Sequence, residues 1–87
     1  KQYVGKGLKY FSRLGVGEFY IEAGSFSVGD KLLIVGPTTG ALYVEATDIH
    51  GDSGPVTEAV KGMRVSIPVP DKVRPSDKLY KVVTNKA

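Results

Sequence analysis

The 87-residue chain predicts an all-β fold, a small six-stranded antiparallel barrel, and three observations carry that prediction. Apolar residues recur at every second position in several short stretches, the period of a strand with one buried face. Glycine, proline, aspartate and serine bound these stretches, and helix signals are almost absent. Six short strands joined by tight turns close most simply into a barrel, because closure removes the exposed edges of an open sheet. A chain of this length makes one domain, residues 1–87, and buries roughly two-thirds of the surface it exposes unfolded.

The first strand, about Tyr3 to Phe11, alternates poorly, and Gly5 and Gly7 mark places where another backbone approaches closely. Glu18 to Ala23 alternates well, with Phe19, Ile21 and Ala23 toward the core. Leu32 to Val35 is apolar throughout, as in a strand covered on both faces. Leu42, Val44 and Ala46 alternate with Tyr43, Glu45 and Thr47; Ile49 then falls on the wrong parity, which predicts a bulge near Asp48. Val56 to Val60 is the one candidate for a helical turn. Met63 to Val69 is the cleanest alternation, with Pro68 placing it at an edge or bulge. The last strand runs from about Lys78 to Val83.

One internal echo links two of these strands. Gly29-Asp30-Lys31-Leu32-Leu33-Ile34-Val35 recurs as Ser76-Asp77-Lys78-Leu79-Tyr80-Lys81-Val82. In both copies an aspartate precedes the strand, where its carboxylate can accept a local backbone N–H. The echo reads as one turn-to-strand solution used twice.

Composition excludes several functions. There is no cysteine, so disulfide scaffolds, thiol nucleophiles and thiolate zinc sites are ruled out. That absence fits a cytoplasmic protein. The longest apolar run, Leu32 to Val35, is far too short to span a membrane. One histidine and scattered acids make no metal ligand set, and no cofactor motif is present. Gly36-Pro37-Thr38-Thr39-Gly40-Ala41 fails as a phosphate loop on both spacing and the missing Lys-Ser/Thr pair.

His50-Gly51-Asp52-Ser53-Gly54-Pro55 imitates the sequence around a serine-protease nucleophile. A triad needs its base on a separate element, oriented by a buried acid, whereas here the only histidine sits three residues from the serine on one turn. The stretch is spelled by turn residues, and no catalytic residue is assigned.

Charge is segregated. Residues 1–13 carry +4, residues 14–60 carry −6 and residues 61–87 carry +5. If the fold joins the ends, Lys6, Lys9, Arg13, Arg74, Lys78 and Lys81 form one basic face, interleaved with Tyr3, Tyr10, Phe11 and Tyr80. Such a mixture suits RNA, whose phosphates bind lysine and whose bases stack on aromatics. Equally, the aromatics can fill the core while the lysines guard strand edges, and a net charge of +3 is low for a nucleic-acid binder.

Val28-Gly29-Asp30-Lys31-Leu32, Asp48-Ile49 and Val56-x-x-Ala59-x-x-Gly62-x-x-Val65 together resemble the second domain of translational GTPases, a six-stranded barrel without catalytic residues. The runs Tyr3 to Glu22, Val28 to Gly40 and Val73 to Val83 resemble more closely the C-terminal barrel of the collagenase-like U32 family, peptidases of unassigned catalytic type. That resemblance implies a non-catalytic accessory domain whose catalytic unit lies upstream in the same polypeptide. Some members of the family are associated with RNA base hydroxylation, so such a domain either positions substrate, protein or RNA, or packs on the upstream catalytic domain. A start at Lys1 agrees with a piece from the C-terminus of a longer protein. A stand-alone RNA-binding module is the alternative reading.

Overall fold

The computed structural model describes residues 1–83. Among them are ten strands: β1 (Gln2–Phe11), β2 (Val16–Ile21), β3 (Ser25–Ser27), β4 (Lys31–Gly36), β5 (Gly40–Glu45), β6 (Ile49–Gly51), β7 (Gly54–Val56), β8 (Glu58–Val60), β9 (Arg64–Pro68) and β10 (Lys78–Lys81). Eight form one antiparallel sheet in the order β5-β4-β10-β1-β2-β9-β6-β7, and β3 pairs with β8 in a second.

The all-β class and all six expected strands are present. The closed ladder is not: β5 and β7 end the large sheet without pairing to each other. The small sheet completes the core instead. Its Phe26 and Ala59 are fully buried, Gly29 and Asp30 exchange backbone bonds with Ala46, and Gly62 and Met63 do so with Ile21.

Two local expectations are corrected. Glu58 to Val60 is a strand rather than part of a helical turn, because its pairing with β3 buries Ala59. No bulge interrupts one long strand at Asp48. Strand β5 stops at Glu45, the Thr47 N–H bonds back to the Glu45 carbonyl at 2.9 Å, and Ile49 opens β6 with its own parity. The last strand ends at Lys81, two residues early.

Sequence dictates the rest directly. Leu32 and Ile34 are fully buried and Leu33 is 6% exposed, so β4 is covered on both faces. In β9, Val65 and Ile67 point inward, and β6 meets that strand only at Ser66, which leaves Pro68 beyond their pairing. Strand β1 shifts register between Tyr3 and Gly5 and again between Gly7 and Lys9, which lets one ten-residue strand bend across β10 and β2. A Cβ on Gly5 would lie 2.1 Å from the Tyr20 carbonyl oxygen, so the close approach read from this glycine is real.

The echoed turns are superposable in their bonding. Asp30 Oδ2 accepts the Ser27 N–H at 2.8 Å, and Asp77 Oδ2 accepts the Arg74 N–H at 2.9 Å. Each aspartate N–H donates back to the carbonyl three residues earlier. The preceding residue is left-handed in both, Gly29 at φ 97° and Ser76 at φ 71°. The strands they launch, β4 and β10, lie side by side in the sheet.

Candidate functional site

Cross-strand register assembles one face on the outside of the large sheet. Tyr3 of β1 stands opposite Tyr80 of β10, Tyr80 opposite Leu33 of β4, and Leu33 opposite Tyr43 of β5. The rings of Tyr3 and Tyr80 meet edge to face at 5.8 Å between centroids. A second row runs Arg64, Tyr20, Lys6, Lys78, Val35, Ala41 over strands β9 to β5. Side chains on one side of a sheet recur every second residue, so these two rows are neighbours. Tyr43, at 70% exposed, ends the first row at the sheet margin.

Charges on this face are partly matched within it. Glu22, just past β2, accepts the Tyr3 hydroxyl and lies 3.7 Å from Lys6 Nζ. The hydrogen bond to Glu22, with burial and that carboxylate's charge behind it, pushes the Tyr3 phenol up to about 12. Lys1 places its ammonium 4.7 Å from the Tyr80 ring centroid. The surface therefore offers flat aromatic faces beside ammonium groups, suited to hold a planar or anionic group but without a poised acid or base.

The six basic residues expected to share a face are divided by the fold. The terminal strands do lie side by side, and Lys6 stands directly opposite Lys78. Lys9 is farther along β1, opposite Glu18 and 5.1 Å from the Phe11 ring centroid. Lys81 has the other parity on β10 and reaches Asp30 at 3.5 Å. Arg74 bonds the Thr39 hydroxyl at 3.3 Å, and Arg13 sits on the turn from β1 to β2. Tyr20, Tyr43 and Arg64 belong to the face and were not singled out from sequence; strand parity was the signal that would have found them.

Gly51 to Gly54 is a two-residue hairpin turn between β6 and β7, with Asp52 and Ser53 at its tip. His50 lines an apolar cleft of about 590 Å³ with Phe11, Leu14, Val16 and Pro68, while Ser53 lines another with Met63 and Arg64. Base and hydroxyl face different clefts, and the protease-like spelling is a hairpin.

No protein-family model matches the chain. Two proteins named Collagenase from Porphyromonas gingivalis, one of them from strain W83, are each 57% identical to it over 81 residues, 93% of this chain. Those residues are 22% and 20% of the relatives, so the chain spans about a fifth of the length of the proteins it matches. Two crystal structures superpose with a TM-score of 0.86 at 19% identity, a likeness of fold. Both are of the C-terminal domain of a Geobacillus thermoleovorans protein assigned to the U32 peptidases, one as its selenomethionine variant. They cover 93% and 94% of this chain, and it covers 100% and 93% of theirs.

Proposed function

We propose that the chain, which is similar to the Collagenase proteins over 93% of its length and shares its fold with the C-terminal domains of a U32 peptidase, is a non-catalytic accessory domain of a longer peptidase-family protein. It positions polypeptide for a catalytic unit upstream in the same chain. The observation that carries this reading is the contiguous outer face, Tyr3, Tyr20, Tyr43 and Tyr80 with Lys6 and Lys78. Exposed tyrosines supply contact area at low entropic cost and are enriched where proteins meet proteins. The Ser53 hairpin offers no assembled nucleophile, which supports placing the chemistry elsewhere.

The test uses the full-length parent protein. Lys78→Glu with Tyr80→Ala should raise KM for a polypeptide substrate about tenfold while kcat holds, the pattern of lost binding common to ground and transition states. Ser53→Ala should change neither constant. Loss of kcat in Ser53→Ala with the fold intact would return catalysis to this domain.

A second reading, RNA, is favoured by one observation, the direct opposition of Lys6 and Lys78 beside tyrosine rings. Against it, Lys6 and Lys81 each face an acid. Fluorescence anisotropy with structured RNA should show no binding at physiological salt. Micromolar binding that weakens with salt, and is lost on Lys6→Glu, Lys9→Glu and Lys81→Glu together, would transfer the assignment to RNA.

A further inference from the structure

The large sheet has two edges of different character. Strand β7 is three residues long with Pro55 at its centre, a proline and a short length being two ordinary ways of blunting an edge. Strand β5 has neither protection. Its six residues, Gly40 to Glu45, pair with β4 in unbroken register from Gly36–Gly40 to Lys31–Glu45, with no bulge, proline or lysine. Leu42 and Val44 are half-buried, and Tyr43 stands outside them.

The backbone direction of β5 follows from its continuation. The Ala46 N–H donates to the Asp30 carbonyl and the Ala46 carbonyl accepts the Gly29 N–H, both on the β4 side. Direction alternates along a strand, so Val44 and Leu42 also face β4, while Ala41, Tyr43 and Glu45 aim their N–H and C=O groups at the open margin. Among the described residues, only the Glu45 carbonyl of that set has a further backbone partner, the Thr47 N–H.

We propose that β5 is a strand-addition site for an extended segment of another polypeptide, which pairs with the outward groups of Ala41 and Tyr43 and the Glu45 N–H. A row of alternating donors and acceptors is complemented by another strand and by little else. The added strand would extend the row Tyr3, Tyr80, Leu33, Tyr43 by one residue and rest on the Tyr43 ring. A second copy of this chain fits less well. In two-fold pairing with Tyr43 opposite Tyr43, Ala41 meets Glu45 at both ends, and both Glu45 carbonyls are already engaged. Each copy also carries a net +3. An independent strand can run past Ala41 instead. Proline-rich segments are disfavoured, because proline supplies no N–H.

This inference names the partner class of the polypeptide-positioning reading and rests on it for its biological meaning. The probe is a blocked heptapeptide of alternating threonine and valine with a lysine added at each end, titrated into the 87-residue chain and followed by amide NMR. The expected result is that the Ala41, Tyr43 and Glu45 amides shift and gain protection from exchange, while a probe N-methylated at every residue, with no donor left on either edge, has no effect. Tyr43→Pro removes the outward donor and spares the β4 ladder, so affinity should fall about tenfold, as for one hydrogen bond. Tyr43→Ala keeps the donor and should retain binding within about threefold, a loss smaller than that hydrogen bond.

Shifts confined to other strands, or undiminished binding in a folded Tyr43→Pro chain, overturn the proposal. So does a probe-independent dimer that Tyr43→Pro dissolves, since the occupant is then a second copy. If the edge fails but Lys78→Glu with Tyr80→Ala still raises KM in the parent, the positioning reading survives without strand addition. If both fail, that reading falls too.

Discussion

Two turns in this molecule share one spelling and one backbone, yet sit in different surroundings. The Asp30 turn lies at the surface, where its carboxylate holds the Ser27 N–H and faces Lys81. In the second turn Asp77 itself is buried, at 2% exposed, and its carboxylate accepts both the Arg74 N–H and the Thr39 hydroxyl. Gly36 is pressed against it: a Cβ there would lie 1.9 Å from Asp77 Oδ1. Gly29, in the other turn, has open space around it. Local sequence sets the shape of such a turn, and tertiary context sets what that shape is worth.

The largest separation between the turns should come from their glycine neighbours. Gly36→Ala is expected to cost about 3 kcal/mol in urea unfolding, the upper range for overpacking, because neither the backbone nor the buried carboxylate can yield. Gly29→Ala should cost only about 1 kcal/mol, the strain of a left-handed alanine. Introducing Asp77→Ala first should cut the Gly36→Ala cost to about 1 kcal/mol, since the two groups are in contact. Additive costs would mean that the clash is not the cause.

The aspartates should rank the same way. Asp77→Ala takes the carboxylate acceptor from the half-buried Arg74 N–H and Thr39 hydroxyl and should cost about 2 kcal/mol, against about 1 kcal/mol or less for Asp30→Ala, where water replaces the lost bond. Equal costs would dissolve the comparison. Ser76→Gly acts in the opposite direction. It relieves a left-handed serine and should raise stability by about 0.5 kcal/mol, the strain gain exceeding the added freedom of the unfolded chain.

The smallest effect belongs to a carboxylate more exposed still. Glu22 holds the Tyr3 phenol near 12, above its ordinary value of 10.0, so the folded state keeps that proton more tightly than the unfolded one. This contribution is fully present below pH 10 and is lost as pH rises toward 12. A phenolate absorbance step near pH 12 should vanish in Tyr3→Phe and move down in Glu22→Gln. A Tyr3 step at pH 10 in the native chain would show that the Glu22 bond is absent in solution.

Much of the fold was legible because it is written in short periods. Alternation placed the inward residues of β2, β5 and β9, and the Asp-Lys-Leu echo announced both aspartate turns. Strands β3, β6, β7 and β8 are three residues each, too short to display a period of two. Their absence from the reading made closure of six strands look necessary, when a second sheet completes the core. The cluster of Gly36 and Thr39 around buried Asp77 was invisible because Thr39 and Asp77 lie 38 residues apart in sequence. For the site, lysine and tyrosine content was readable, but its division was not. Lys78 and Lys81 differ in parity, and only the assembled sheet shows which of them faces Lys6.

The pairing of the first and last strands has a mechanical corollary. Gln2 stands opposite Lys81 and Lys6 opposite Lys78, so the chain enters and leaves at the same end of one ladder. Tension drawing those two ends apart loads that ladder one rung at a time, starting at Gln2, rather than straining all rungs at once. Strands β1 and β10 would part first under a pull, and the tyrosine and lysine face, which straddles that seam, would be the first surface to come apart.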